Sequence, residues 1–139
     1  MIKALDVMKA VQKVIKDRYP RYEVKLDFPD LDRQKTKTTI YIQTDNGELG
    51  NLTTSSDQCT MNLTVYIATK GDSSDVMSER VWDCFESIYA LLRGNPSLDG
   101  VVSDSMITDF DYYPSIMDNV SSQAVTFSLS VVYEKDFID

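Results

Sequence analysis

Chemistry at neutral pH is most often carried by histidine, cysteine or paired carboxylates, and this chain of 139 residues contains no histidine. The commonest general base and zinc ligand is therefore missing, and Ser-His-Asp nucleophile activation with it. Carboxylates remain. Asp109 and Asp111, with Asp104 just upstream, fall on one face of a predicted strand, about 7 Å apart. Such a pair suits a magnesium ion; it equally suits the solvated edge of an acidic protein, which is the expectation. Asp27, Asp30 and Asp32 lie in a loop beside Pro29 and basic residues and are expected to be solvated. Glu79, Asp83 and Glu86 share a helix surface at i, i+4 and i+7. Their mutual repulsion mildly destabilises a lone helix, so the stripe is either tolerated or faces a basic partner. Cys59 and Cys84 form no C-x-x-C pair and are expected to be buried free thiols. No phosphate-cradling glycine loop, H-E-x-x-H or G-x-S-x-G occurs. Neither a cofactor, a metal nor an enzymatic activity is expected.

The elements that would position these residues follow from periodicity. Ile2, Leu5, Met8, Val11, Val14 and Ile15 recur at helical spacing over 2–18, with lysines on the other face and Pro20 as the stop. Residues 22–28 alternate as a strand with Tyr22, Val24, Leu26 and Phe28 on one side. A loop is predicted over 28–37, and a strand over 38–43. Thr44-Asp45-Asn46-Gly47 reads as a hairpin turn, with 48–58 either a hairpin return or a loop. Residues 58–69 are the clearest strand: Cys59, Met61, Leu63, Val65 and Ile67 alternate with polar residues. A helix is expected over 73–93, capped by Asp72 or Ser73 and stopped by Gly94 and Pro96. Its stripe includes Val76, Val81, Trp82, Phe85 and Ile88. Strands over 101–112 and 123–134 close the chain. This order implies one α+β domain over 1–139, a mostly antiparallel four- to five-stranded sheet with two helices packed on one face.

Charge is more informative than any motif. The net charge is −8, which makes sequence-reading nucleic-acid binding unlikely for the chain as a whole. Residues 1–37 hold ten Lys or Arg and six acids, a balance of +4, and the remainder holds four and sixteen, a balance of −12. Such polarity suits head-to-tail association, in which Lys9, Lys13, Lys16, Arg33, Lys35 and Lys37 of one copy meet Glu79, Asp83, Glu86, Asp109 and Asp111 of another. No signal pattern and no apolar run of about 18 residues is present, so a soluble cytosolic protein is expected.

The layout resembles the tail-terminator (tail-completion) proteins of long-tailed bacteriophages over roughly residues 1–135. The likeness runs through the helix Ala4 to Asp17, then the strand Met61 to Ile67 leading into Val76 to Asp83. Ile88-Tyr89-Ala90-Leu91-Leu92 then leads to Asn95-Pro96-Ser97-Leu98-Asp99-Gly100-Val101-Val102, and the strand Ala124 to Tyr133 completes it. Other phage neck proteins share this texture. The resemblance implies a structural, ring-forming homo-oligomer, a hexamer on the head-proximal end of the tail tube. The ring would end tube polymerisation and dock the head-tail connector. DNA would pass through the lumen without specific binding. It implies a virion location, in the tail or neck, with assembly in the host cytoplasm and no membrane. The loops 29–37, 44–57 and 112–122 are the expected contacts. The alternative is an acidic protein-binding module, an immunity-type inhibitor or DNA mimic, with one contiguous acidic face over the 72–86 helix and the 99–118 strand.

Overall fold

A computed structural model describes residues 2–30, 34, 38–51, 56–71, 73–114 and 122–136. Its elements run α1 (Ala4–Arg18), β1 (Glu23–Lys25), β2 (Thr38–Asn51), β3 (Ser56–Lys70), α2 (Ser74–Arg93), β4 (Asp104–Tyr113) and β5 (Ser122–Asp136). The five strands form one sheet in the order β1-β2-β3-β5-β4. Every pairing is antiparallel except β1 with β2. Both helices lie on one face, α1 over β1 and β2, α2 over β3, β5 and β4. The α+β architecture is as the sequence predicts.

The core forms where apolar alternation meets the helical stripes. Leu63, Val65 and Ile67 of β3 and Val125, Phe127 and Leu129 of β5 pack against Val81, Phe85 and Ile88 of α2 and Val7, Val11 and Ile15 of α1. Burying side chains of this size removes each from water at about 1.5–3 kcal/mol. Ser73 caps α2, its Oγ accepting the Val76 N–H at 3.5 Å, and Asp75 and Arg93 complement the helix dipole. At the start of α1 the Asp6 carboxylate accepts the Lys3 N–H at 2.8 Å. Leu5 and Val76, counted in the apolar stripes, are half exposed.

Four sequence expectations are corrected. The predicted 22–28 strand is only three residues long and parallel, because the chain leaves the sheet after Lys25 and crosses its other face to reach β2. There the Tyr41 hydroxyl donates to Gln34 Oε1 at 3.0 Å, and Gln34 Nε2 donates to the Ala68 carbonyl at 3.2 Å. Phe28 consequently stands 73% exposed. Thr44-Asp45-Asn46-Gly47 is no turn: β2 runs through it, with a register shift that leaves Asp45 unpaired. Asp45 accepts from the Thr64 hydroxyl, and Asn46 accepts from Asn62 at 2.7 Å. Gly47 is demanded by close approach, since a Cβ there would sit 2.6 Å from the Thr60 carbonyl oxygen. The expected contact loop 44–57 is therefore largely strand. Finally, β4 starts at Asp104 and not at Val101. Residues 98–100 form a left-handed turn (φ 50°, 60° and 85°) that buries Leu98. The Val102 N–H closes it on the Ser97 carbonyl at 3.0 Å.

Candidate functional site

Strand parity sorts the charges onto distinct surfaces. Odd residues of β3 and β5 face the helices and even residues face away. On the helix-free face, rows of paired residues run across the sheet: Glu48, Thr60, Val132 and Asp104; then Gln43, Thr64, Ser128 and Asp109; then Tyr41, Tyr66, Thr126 and Asp111. Asp45, Glu48, Asp104, Asp109, Asp111 and Glu134 are all exposed on or beside this face. Among the described residues the cations on it are peripheral: Lys25, 3.3 Å from Glu23 in edge strand β1, and Lys70 at the end of β3. Tyr41, Ala68, Ala124 and Thr126 on this face are buried, and the rest of it is acidic and hydroxyl-rich among the described residues.

Asp109 and Asp111 do share a face, as the spacing predicts, and both are exposed. No group of His, Cys, Asp or Glu able to hold a metal ion occurs among the described residues. Glu79, Asp83 and Glu86 are exposed on the outside of α2, on the opposite side of the sheet from Asp109 and Asp111. The single contiguous acidic face expected of an inhibitor or DNA mimic is therefore split in two.

Lys9 and Lys16 are exposed on α1, and Lys13 donates to Asp17 at 2.7 Å, the neighbouring carboxylate raising the pKa of its ammonium. Arg33, Lys35 and Lys37 lie outside the described residues. Because α1 lies over β1 and β2 and α2 over β3, β5 and β4, the helix layer is basic toward one edge of the sheet and acidic toward the other.

The β4 edge carries a feature the sequence reading missed. Trp82 stacks near Phe85, Phe110 and Tyr112, with ring centroids 5.2–6.1 Å apart, and Phe110 and Tyr112 remain exposed. Their alternation with Asp109 and Asp111 is the signal that was available. Beneath them, Gln123 is buried: its Oε1 accepts from the Ser78 and Tyr112 hydroxyls at 2.9 Å, and its Nε2 donates to the Ser74 carbonyl at 3.2 Å. This ties the start of α2 to β4 and β5.

Cys59 and Cys84 are buried free thiols, as expected. Burial pushes the Cys84 thiol up to about 11, with the Tyr22 hydroxyl hydrogen-bonded to it and opposing that rise. A thiol in that state is no nucleophile. A hollow on the open face, between Pro29, Tyr66, Ala68, Tyr113 and Ala124, gathers no convergent charged groups of the kind that fix a substrate.

No family model matches the sequence, and no curated protein does. Among solved structures the chain is similar to one in a structure titled "Virion of native gene transfer agent (GTA) particle". They share 7% identity over 93% of this chain and 92% of that one, with a TM-score of 0.47. A likeness of that degree carries no functional argument, and the surfaces described above have to carry it.

Proposed function

We propose that this chain is a structural, non-enzymatic protein of a phage-like particle. In this reading it forms a ring at the head-proximal end of the tail tube, ends tube polymerisation and presents the docking surface for the head connector. The observation that carries the reading is the placement of a basic helix over the β1–β2 edge and an acidic helix over the β3–β5–β4 half of one sheet. Opposed charges on opposite edges favour heterologous contacts, and these close into rings when the rotation allows. The open sheet face fits a lumen: carboxylates among hydroxyls repel phosphates, so DNA slides past without adhering. The inhibitor or DNA-mimic reading is weaker, because its acidic residues occupy two surfaces.

The test uses the purified chain and tail-tube protein under an electron microscope. Rings on one end of each tube, with tubes shortened as the chain is added, are the expected result. A chain that leaves tube length unchanged and decorates no end overturns the reading. Asp109→Ala with Asp111→Ala is expected to cap tubes as the parent does, because both residues face the lumen.

A further inference from the structure

Besides the three-residue outer edge of β1, two longer strand edges are unpaired among the described residues, and they match in height. β1 covers β2 only opposite Thr39–Tyr41, which leaves the outer edge of β2 open from Gln43 to Asn51. The outer edge of β4 is open along its length. Through the rows of the sheet, Asp104 stands level with Glu48, and Asp109 stands level with Gln43. The open half of β2 and the first half of β4 thus occupy the same height on opposite edges. They also run in opposite directions, three antiparallel pairings apart. A second copy set beside the first would bring them together as an antiparallel pair. The register shift between Ile107 and Asp109 bends β4 at the height where β1 ends.

The helix layer repeats the match. Lys9 and Lys16 stand one turn either side of Gln12, whose amide donates to the Val24 carbonyl of edge strand β1 at 2.8 Å. Glu79 and Glu86 stand one turn either side of Trp82, whose ring lies against Phe110 and Tyr112 of edge strand β4. Each pair spans seven residues, about 10.5 Å of helix. α1 passes from Thr44, met by Met8, toward the row of Val24 and Ile40; α2 passes from Tyr112 and Gln123, met by Ser78, toward Ile107, which Tyr89 adjoins. The helices run opposite ways, so in adjacent copies Lys16 falls beside Glu79 and Lys9 beside Glu86.

We infer that copies of this chain join edge to edge, β4 of one adding to the open half of β2 of the next while the Glu79–Glu86 ridge meets the partner's Lys9–Lys16 ridge. The inference rests on the ring reading for its occupant, a second copy of the chain, and deepens it by assigning the interface. Unpaired backbone groups supply the adhesion, and the helix-layer charges select orientation against the like-charge contact that the same register creates between Glu48 and Asp104 of the next copy.

Sedimentation velocity over a concentration series at low salt tests it. Two variants are compared with the parent, Glu79→Lys with Glu86→Lys, and Lys9→Glu with Lys16→Glu. Each is expected to self-associate more weakly by about tenfold or more. An equimolar mixture of the two is expected to recover parental association, because every interface again joins opposite charges. Hydrogen exchange in the parent should slow on assembly at 43–51 and 104–107. All four substitutions are at exposed positions, and circular dichroism confirms the fold. A parent that stays monomeric at every concentration, variants that assemble like the parent, or unprotected strand edges would each overturn this interface. Failure of the ring reading shows separately, as bare tube ends with the parent chain.

Discussion

At the scale of the residue, one absent side chain and one buried thiol set sharp expectations. Gly47 faces the Thr60 carbonyl so closely that Gly47→Val must push β2 from β3. A loss of about 1–3 kcal/mol is expected, read as a lower denaturation midpoint with unchanged m-value. Burial raises the Cys84 thiol from 9.0 to about 11, so the folded chain holds that proton more tightly than the unfolded chain does. The corresponding stabilisation, about 3 kcal/mol, is fully present below pH 9 and is lost as pH climbs through the folded value near 11. Tyr22, Tyr41, Tyr66 and Tyr133, all raised by burial, add loss in the same direction. Urea melts at stepped alkaline pH check the sign: stability that holds flat or rises above pH 9 contradicts it. Native Cys84 should likewise resist thiol reagents near neutral pH and react on unfolding.

At the scale of the element, length explains what patterning alone does not. β3 and β5, of 15 residues each, extend about 50 Å, whereas the 20 residues of α2 extend about 30 Å. The sheet outruns its helices, so Leu49, although level with Cys59 on the helix side, stands 78% exposed. The described ends of β2 and β3 project beyond the helix layer. Gln123→Leu should cost about 1–3 kcal/mol, because Ser78, Tyr112 and Ser74 lose a buried partner. Faster exchange confined to the first turns of α2 would accompany it. Gln34→Ala removes the side-chain bonds to the Tyr41 hydroxyl and the Ala68 carbonyl, and limited proteolysis is expected to cleave the variant sooner than the parent.

At the scale of the whole molecule, the proposed association rests on the separation of charge across the helix layer. Exposed ion pairs are screened beyond about 10 Å at 0.1 M salt. Self-association of the parent should therefore weaken steeply with added sodium chloride, whereas the Asp109→Asn, Asp111→Asn variant should assemble with an unchanged salt dependence. If salt has no effect, charge is not selecting the orientation. Asp109 and Asp111 lie opposite the helices, so the acidic groups that the linear sequence merges occupy two surfaces.

The sequence by itself determined α1, α2, the central strands and the two buried thiols. Each is written in a local period, 3.6 or 2, that hydrophobic burial enforces without reference to distant residues. Even the charge polarity was legible, as +4 before residue 38 and −12 after it. Only the tertiary structure decided that Asn46-Gly47 lies within a strand, where thirteen paired positions with β3 outweigh a two-residue turn preference. The same holds for β1, shortened and made parallel by a crossover fastened to Tyr41 and Ala68, contacts 7 and 34 residues from Gln34. The candidate surfaces belong to this second kind. Lys9 and Lys16 on α1, and Glu79 and Glu86 on α2, are set apart only because the strand order places the two helices over different halves of one sheet face.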